Sequence, residues 1–231
     1  MRRGGLFVAW ANEGASLHTT PTRTGQDMIT LHALQYSRAT RVLWLLADLG
    51  EPCIRIDYGR TESFRAPEAL KQVHPLGKSP IIEDEGQMLA ESATILRYLA
   101  AKYGDDSHVP PHGTAAYWQH EALFDYVESS LAGVALPVIL PAFRGKPIPD
   151  EARATLDKNL DYLSEAIGEG SLLFGDRATL ADIQLSYIVA LLSRLGLLSD
   201  HPAIEAYWEA LQQQPGYIAA TEATGPMAPP A

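Results

Sequence analysis

The sequence has little of several features that would place it in a common class of protein. Only one of its 231 residues is cysteine, Cys53, so an internal disulfide and a Cys-x-x-Cys redox or zinc pair are both excluded. No apolar run approaches the length that crosses a bilayer, so no transmembrane helix is expected. Basic residues number 18 against 28 acidic ones, and this net charge of −10 argues against a nucleic-acid-binding surface. A reducing compartment such as the cytoplasm fits the single cysteine.

The composition that remains is ordinary for a folded globular chain. Hydrophobic residues make up 46% of the sequence and charged residues 20%, which excludes a disordered protein of low hydrophobicity and high charge. A chain of 231 residues suits one large domain or two small ones. It can bury most of its apolar surface, so neither a disulfide nor a metal is needed to hold its core.

The first half of the chain alternates strands with helices. Apolar and polar residues alternate in 29–33, which predicts a strand, and the apolar residues of 42–49 recur at helical spacing. Gly50 and Pro52 then end that helix. The order β-α-β followed by β-β-α predicts one small α/β domain. The predicted strands are 29–33, 53–58, 80–83 and 87–89, and the predicted helices are 42–49 and 96–103.

The second half lacks strand patterns and is predicted to be all-helical. Residues 180–198 are apolar on nearly every side, which predicts a helix buried in a bundle. Thr179 with Asp182 three residues later is typical of an N-terminal capping box. Apolar residues recur at helical spacing in three further segments, 120–131, 156–167 and 204–211. The predicted organisation is a disordered extension at 1–27, a first domain at 28–104, a linker at 105–113, a helical domain at 114–220 and a disordered tail at 221–231.

The turn after the first predicted strand contains the first candidate for chemistry. Ser37, Arg38 and Arg41 stand where a helix begins, and the free N–H groups and dipole of a helix N-terminus favour an anion. A thiolate placed there has its pKa lowered below its free value of about 8.5. The turn has no cysteine, so a ligand would have to bring the thiolate. Spacing alone favours a simpler interpretation, in which Ser37 caps the helix.

A second candidate is the segment His74-Pro75-Leu76-Gly77-Lys78-Ser79-Pro80, where two prolines and a glycine force a bend before the third strand. A cis bond at Ser79-Pro80 would turn the backbone of Ser79 outward, where an extended peptide could pair with it as an added strand. Lys78 could meet a carboxylate. By spacing alone, an ordinary loop with a solvated lysine is the simpler interpretation.

A third candidate is the pair Glu91-Ser92 ahead of the second predicted helix. Ser92 is a favoured N-cap residue, and the free N–H groups at that end could bind a carboxylate. Glu91 could bind an ammonium group, and an α-amino acid carries both charges side by side. A helix cap next to a surface acid is the simpler interpretation of the pair taken alone.

Taken together, in their order and spacing, these segments resemble one family. SRATRVLWLLADLG, HPLGKSPIIED and LAESATILRYLAAKYG resemble the thioredoxin-like half of the cytosolic glutathione S-transferases. FDYVESSL and TLADIQLSYIVALL are similar to the helical second domain of that family. The subgroup it most resembles is the bacterial and fungal type with Ser-Arg near the start of the first helix and HPLGKSP before the third strand. The resemblance spans residues 28–220 and implies a thioredoxin-like α/β domain followed by an all-α helical bundle.

The resemblance implies glutathione-binding roles for five residues. Glu91 and Ser92 match the pair that holds the γ-glutamyl group, and Lys78 matches the basic residue that meets a glutathione carboxylate. Ser79 and Pro80 match the residue and the cis-proline that pair with the cysteinyl backbone of the tripeptide. Most members have Val or Ile in place of Ser79, a departure expected to matter little because the pairing uses the backbone.

The same resemblance implies two candidates for the residue that activates the thiol. Ser37 falls where the cysteine-type classes have Cys, and Tyr36 falls where several serine-type classes have Ser. His32 occupies the strand position of the tyrosine-type classes. Ser37 is the first choice and Tyr36 the second. Thr179 and Asp182 match the folding-related capping box of the family and are structural.

These residues predict a cytoplasmic glutathione transferase. It would activate the glutathione thiol as a thiolate for attack on a small hydrophobic electrophile, or for reduction of a hydroperoxide. Glutathione is then a co-substrate, no cofactor, metal, nucleic acid or membrane partner is expected, and the resemblance implies a homodimer. A second hypothesis is a non-catalytic module of the same fold that binds a protein partner or carries apolar ligands. A third, a glutathione-dependent oxidoreductase, is disfavoured because Ser37 cannot form a mixed disulfide.

Overall fold

A five-stranded mixed sheet precedes a bundle of helices in the computed structural model, which describes residues 6–9, 28–168 and 170–229. The strands lie in the order β1-β3-β2-β4-β5. β2 runs parallel to β3, and the other neighbouring pairs are antiparallel. The strands are β1 (Leu6–Val8), β2 (Ile29–Leu34), β3 (Cys53–Tyr58), β4 (Ile81–Asp84) and β5 (Gln87–Ala90).

Eight α-helices occur in the described part of the chain, two of them in the α/β half and six after it. This arrangement confirms the predicted fold class, an α/β domain followed by a helical one. The helices are α1 (Ala39–Leu49), α2 (Ser92–Tyr103), α3 (Ala115–Tyr126), α4 (Ala132–Ala142), α5 (Asp150–Ile167), α6 (Leu180–Arg194), α7 (Pro202–Gln212) and α8 (Pro215–Thr224).

The central strand β2 brings two of the predicted site segments together. It lies between β3 and β4 and is buried at almost every residue, which explains its run of apolar side chains. β4 pairs with it antiparallel, with Ile81 opposite His32. The end of β2 therefore lies beside the start of β4, and the turn that follows β2 lies beside Ser79-Pro80, whose peptide bond is cis.

Helix α1 lies where the two halves of the molecule meet. Every residue from Ala39 to Ala47 is buried, and the helix packs against α2 in the first half and against α6 and α8 in the second. Gly50 ends α1 in the left-handed region with φ 69°, as its position after the last apolar residue predicts. Because α1 begins directly after β2, its packing also positions the turn between them.

Helix α6 is the core helix of the second half, and its capping box is present. Residues Leu180 to Leu192 are all buried, which confirms the helix predicted to be apolar on nearly every side. Asp182 accepts hydrogen bonds from the Thr179 N–H at 2.8 Å and from the Thr179 hydroxyl at 2.6 Å. The same carboxylate accepts from the Leu173 N–H at 3.1 Å and the Tyr207 hydroxyl at 3.0 Å. The box therefore also ties the loop before α6 and the helix α7 to α6.

One continuous helical stretch departs from the expectation that no segment could span a membrane. Ala115–Ala142 comprises α3, a π-helical segment at Val127–Leu131, and α4, and by length and apolar composition it is sufficient to cross a bilayer. Polar residues in α3 interrupt its apolar ones, so the stretch does not stand out in the sequence as a continuous apolar run. Nearly half of its apolar window is buried inside the fold, and a core helix of a globular protein meets the same criteria. It is therefore weak evidence for a membrane span.

The structure also differs from the predicted disorder at both ends of the chain. Leu6–Val8 forms the edge strand β1 on β3, although these residues fall in the predicted extension 1–27. The rest of that extension, 1–5 and 10–27, lies outside the described residues. The predicted tail from Thr221 continues α8 to Thr224, and Met227 and Ala228 are buried. The short apolar contacts made by these segments are tertiary ones that no local periodicity reveals.

Replacing Asp182 with alanine is predicted to destabilise the fold strongly. The carboxylate is fully buried and accepts four hydrogen bonds, so its removal leaves four buried donors without this acceptor. We expect the free energy of unfolding to fall by about 3 to 5 kcal/mol. Urea denaturation followed by tryptophan fluorescence at one fixed protein concentration measures the loss. The matched control is E209A at an exposed acid of α7, and a loss for D182A no larger than that control's would contradict the role.

Candidate active site

The turn between β2 and α1 is held in an unusual backbone conformation from both halves of the molecule. Tyr36 has a φ of 52°, in the left-handed region that non-glycine residues rarely adopt. Its carbonyl accepts a hydrogen bond from Arg60 Nη2 at 2.7 Å and one from the Tyr187 hydroxyl on α6 at 3.2 Å. These two donors stabilise the turn, and Ser37 follows directly at the beginning of α1.

Ser37 lies almost fully buried two residues before α1, which begins at Ala39. Its side-chain oxygen accepts the Ala39 N–H at 3.2 Å, and it lies 3.5 Å from the hydroxyl oxygen of Ser79. The hydroxyl therefore meets one of the free N–H groups of α1, but the N-cap residue is Arg38 and not Ser37, which corrects the simpler interpretation. A hydroxyl that accepts through its oxygen still has its proton to donate, so capping and donation to a ligand are compatible.

The five residues predicted to bind glutathione surround one pocket. Lys78, Ser79, Pro80, Glu91 and Ser92 all line a cavity of about 250 Å³. The loop before β4 contributes the first three and the β5–α2 junction the other two. The other residues that line this cavity are Arg38, His74, Leu76, Ala90, Glu128 and Leu136. The pocket thus joins the start of α1, the start of α2 and the first helical stretch of the second half.

The side chain of Ser79 is built into the end of the sheet. Its hydroxyl donates to the His32 carbonyl at 2.9 Å and accepts the Leu34 N–H at 3.0 Å. The β2–β4 ladder ends at Ile81, and the preceding Pro80 has no N–H to extend it. The Ser79 hydroxyl therefore bonds two backbone groups at the end of β2.

The start of α2 differs slightly from the predicted cap. The helix begins at Ser92 with Glu91 at the N-cap, so Ser92 is the first helical residue and not the cap itself. Its buried hydroxyl accepts a hydrogen bond from Arg41 Nη1 at 3.4 Å. Glu91 is exposed, with a φ of 70°, and its carboxylate does not cap the helix. The acid is thus available to solvent at the rim of the pocket.

Two arginines of α1 and one glutamate of the π-helical segment form a charged cluster behind the pocket. The carboxylate of Glu128 accepts from Arg38 Nε at 2.7 Å and from Arg41 Nη1 at 2.6 Å. Arg41 has no solvent exposure, and the same nitrogen contacts the side-chain oxygen of Gln184 on α6 at 3.2 Å. Both guanidinium groups also lie near the ring of Tyr187, at 5.0 and 5.5 Å from its centroid. Two positive charges against one negative charge leave the start of α1 electropositive.

The burial of this cluster shifts the pKa values of its members. Burial lowers the pKa of the Arg41 guanidinium to about 10, against the opposing charge of Glu128, so it stays protonated at neutral pH. Burial by itself would raise the pKa of the Glu128 carboxyl, but the charges of Arg41 and Arg38 outweigh it. They hold that pKa below its ordinary value of 4.5.

Tyr36 and Cys53 lie apart from this pocket. The Tyr36 ring stacks on Phe64 at a centroid distance of 6.2 Å, and the residue lines a different cavity together with Asp57 and Pro226. Cys53 is fully buried on β3, and burial raises the pKa of its thiol to about 12, which suits a structural thiol. Within the described ranges, no group of three or more histidine, cysteine, aspartate or glutamate side chains is placed to hold a metal.

Two residues near the pocket were not predicted from the sequence: Glu128, which lines it, and Gln184, which contacts Arg41. Both stand in segments quoted for the helical domain, yet neither has a motif of its own. The available signal was the pair of arginines at 38 and 41, because a buried arginine requires an acidic or amide partner. The sequence does not show which acid supplies it, since Glu128 lies 87 residues from Arg41 in the chain.

The fold and pocket described above define a two-domain protein with a thioredoxin-like half, and comparisons with known proteins give the same class. The model for the glutathione S-transferase N-terminal domain matches residues 26–101. The model for the glutathione S-transferase C-terminal domain matches residues 127–215. Together the two matches span most of the described elements.

Individual relatives and a solved structure agree with these models. Glutathione S-transferase 3 of Schizosaccharomyces pombe is 32% identical over 176 residues, which cover 69% of this chain and 72% of that protein. Glutathione S-transferase 1 of Saccharomyces cerevisiae is 30% identical over 223 residues, which cover 84% and 94% of the two chains. A glutathione S-transferase from Actinobacillus pleuropneumoniae superposes with a TM-score of 0.77 at 29% identity and covers 86% and 94%. The chain belongs to the glutathione S-transferase family.

The contribution of Glu128 to stability is predicted to depend on pH. Its pKa is lower in the folded chain than its ordinary value of 4.5, so the stabilisation is present above that value and is lost as pH falls through the folded pKa. E128Q should lower the free energy of unfolding by about 1 to 3 kcal/mol at neutral pH. The difference from the wild type should shrink as the solution becomes strongly acidic.

Urea denaturation of both proteins across this pH range measures that difference. E165Q, at an exposed glutamate of α5, is the matched control for removing one carboxylate. A wild-type minus E128Q difference that stays constant between neutral and strongly acidic pH would show that the arginine pairs do not lower the carboxyl pKa.

Proposed function

We propose that this member of the glutathione S-transferase family activates the thiol of bound glutathione through Ser37. The resulting thiolate joins glutathione to a small hydrophobic electrophile. The single observation that carries the proposal is the position of the Ser37 hydroxyl. It stands just ahead of the N-terminus of α1, 3.5 Å from the Ser79 hydroxyl oxygen. Ser79 in turn lines the pocket that contains the other predicted glutathione-binding residues.

The charges around the pocket suit the polar groups of the tripeptide. Glu91 is exposed at the rim, where it can bind the α-ammonium of the γ-glutamyl group. The adjacent start of α2, at Ser92, has free N–H groups that favour the neighbouring carboxylate. Lys78 is exposed on the opposite loop and can meet a glutathione carboxylate. With Ser79 and Pro80 between them, an extended peptide pairing with the Ser79 backbone would place its cysteine near the start of α1.

The start of α1 supports a thiolate at that point. Free N–H groups of the helix and the net positive charge of Arg38, Arg41 and Glu128 all favour the negative sulfur over the neutral thiol. Ser37 donates its proton as a hydrogen bond to the thiolate, which lowers the pKa of the thiol further and fixes the sulfur in place. Tyr36 stays the second candidate for that donor, although its ring stacks on Phe64 and the residue lines another cavity.

The reaction is a nucleophilic displacement or addition. The thiolate electron pair forms a carbon–sulfur bond with the electrophile, and a leaving group, where there is one, departs with the electrons of the bond that breaks. The thiol proton has already left to solvent. A hydrophobic electrophile would bind beside the sulfur against the first helical stretch of the second half, whose Leu136 borders the pocket. With a hydroperoxide, the sulfur attacks the terminal oxygen and the O–O bond breaks, so the alcohol leaves after its oxygen takes a proton from solvent. The glutathione sulfenic acid that forms is reduced by a second glutathione, which gives the disulfide and water.

The same proposal includes a homodimer in the cytoplasm. Large apolar side chains are exposed on both halves of the chain, at Leu76 and Met88 in the first and at Trp118 and Leu140 in the second. A first domain packed on the second domain of another copy would cover them.

Light scattering on purified protein should give twice the mass of the 231-residue chain, whereas the mass of one chain at all concentrations would contradict the dimer.

Ser37→Ala is predicted to impair turnover while glutathione still binds. The lost hydroxyl should reduce turnover of a chlorodinitrobenzene by about 10- to 1,000-fold, by analogy with other single-donor deletions. The pKa of the bound thiol, followed by the ultraviolet absorbance of the thiolate, should rise. Calorimetry with reduced glutathione separates binding from catalysis in the same sample.

Tyr36→Phe is the matched control, because it removes a hydroxyl from the neighbouring residue. Full turnover by S37A with a large loss in Y36F would transfer the role to Tyr36. Glutathione binding without turnover of any electrophile in the wild type would favour a non-catalytic binding module. No binding heat with reduced glutathione at millimolar concentration would exclude both.

A further inference from the structure

The hydroxyl proton of Ser79 has one destination in the structure. A serine hydroxyl has a single proton to donate, and Ser79 directs it to the His32 carbonyl at 2.9 Å. The Leu34 N–H donates to the same oxygen at 3.0 Å. Toward Ser37, Ser79 therefore presents only a lone pair of electrons.

This arrangement decides the direction of the contact between the two serines. The two hydroxyl oxygens are 3.5 Å apart, and since the Ser79 proton is already used, Ser37 is the donor. The Ser37 oxygen itself accepts the Ala39 N–H at 3.2 Å, which occupies one of its lone pairs. The Ala39 N–H cannot accept the Ser37 proton, whereas the Ser79 oxygen can, so the proton points toward Ser79.

The contact between the two serines is long, so Ser37 can exchange it for a stronger acceptor. Ordinary hydroxyl–hydroxyl hydrogen bonds are about 2.7 to 2.8 Å long, so at 3.5 Å the Ser37 proton is oriented but weakly held. A negatively charged acceptor makes a hydrogen bond roughly twice as strong as a neutral one. A thiolate that arrives beside Ser79 would accept the hydrogen bond of Ser37 in place of the neutral Ser79 hydroxyl, and the proton stays on Ser37.

We propose that the side-chain hydroxyl of Ser79 is a positioning group for thiolate activation, which anchors the end of β2 and orients the Ser37 proton toward the sulfur. This inference rests on the proposed function, since it acts through Ser37. It adds to the backbone pairing expected of this position, which any side chain would permit. It also replaces the expectation that serine here is equivalent to valine or isoleucine.

Threonine and valine at position 79 form a matched test pair. The two side chains have nearly the same shape, but only threonine keeps the hydroxyl. S79V leaves the His32 carbonyl and the Leu34 N–H without this partner and frees the Ser37 hydroxyl to rotate. We expect S79V to raise the thiol pKa of bound glutathione by roughly 0.5 to 1 unit. This rise lowers the ratio of thiolate to thiol at a fixed pH by about three- to tenfold, the range of one hydrogen bond. S79T should restore the wild-type pKa.

The readouts are the thiolate absorbance of the glutathione complex against pH and the acid limb of the kcat profile, which should shift by the same amount. The double variant S37A/S79V tests whether Ser79 acts through Ser37. If it does, S79V adds little to the pKa change already produced by S37A. S79A carries the same comparison if the valine variant does not fold.

Two results would overturn the proposal while leaving the proposed function intact. One is an equal thiol pKa in S79V and S79T when S37A still raises it. The other is a shift caused by S79V that is undiminished in the S37A background, because the side chain would then act independently of Ser37. A wild-type protein that produces no thiolate signal with glutathione would overturn the proposed function, and this inference with it.

Discussion

The pairing of Arg41 with Glu128 is the interaction on which the position of the site depends. A guanidinium with no solvent exposure is costly, and here its Nη1 donates to Glu128, Gln184 and Ser92, acceptors from three different segments. Since Arg41 lies in the first turns of α1, these contacts hold the start of that helix against both α2 and the helical half. The turn that contains Ser37 has its position set by the same contacts.

The site combines rigid elements with one strained turn. The start of α1, the start of α2 and the end of the β2–β4 ladder are regular structure, and a residue at each of them lines the pocket: Arg38, Ser92 and Pro80. Tyr36 is the exception, with a left-handed backbone held by Arg60 and Tyr187. Such conformations persist where the surroundings determine them strongly, and here the result is that Ser37 faces the Ser79 hydroxyl.

Much of the architecture could be predicted from periodicity, since β2, α1, β3 and α6 each have an apolar pattern that matches their burial. The five residues that were predicted to bind glutathione could be named from their motifs, and the structure brings them to one pocket. The failures share one physical cause. Leu6–Val8 and Met227 are short segments that are ordered only by contact with distant strands and helices, and Glu128 is recognisable only by the arginines it meets. Such contacts leave no local pattern.

By itself the sequence determined the order of elements, the capping box at Thr179 and the family, because these follow from spacing along a few dozen residues. The tertiary structure alone decided which atoms meet: that Arg41 pairs with Glu128, that Tyr36 turns away toward Phe64, and that the hydroxyl oxygens of Ser37 and Ser79 lie 3.5 Å apart. Whether a hydrogen bond forms depends on differences of a few tenths of an ångström in the donor–acceptor distance and on the direction of a single proton. Neither is encoded in residue spacing, and both arise only when separate segments pack against each other.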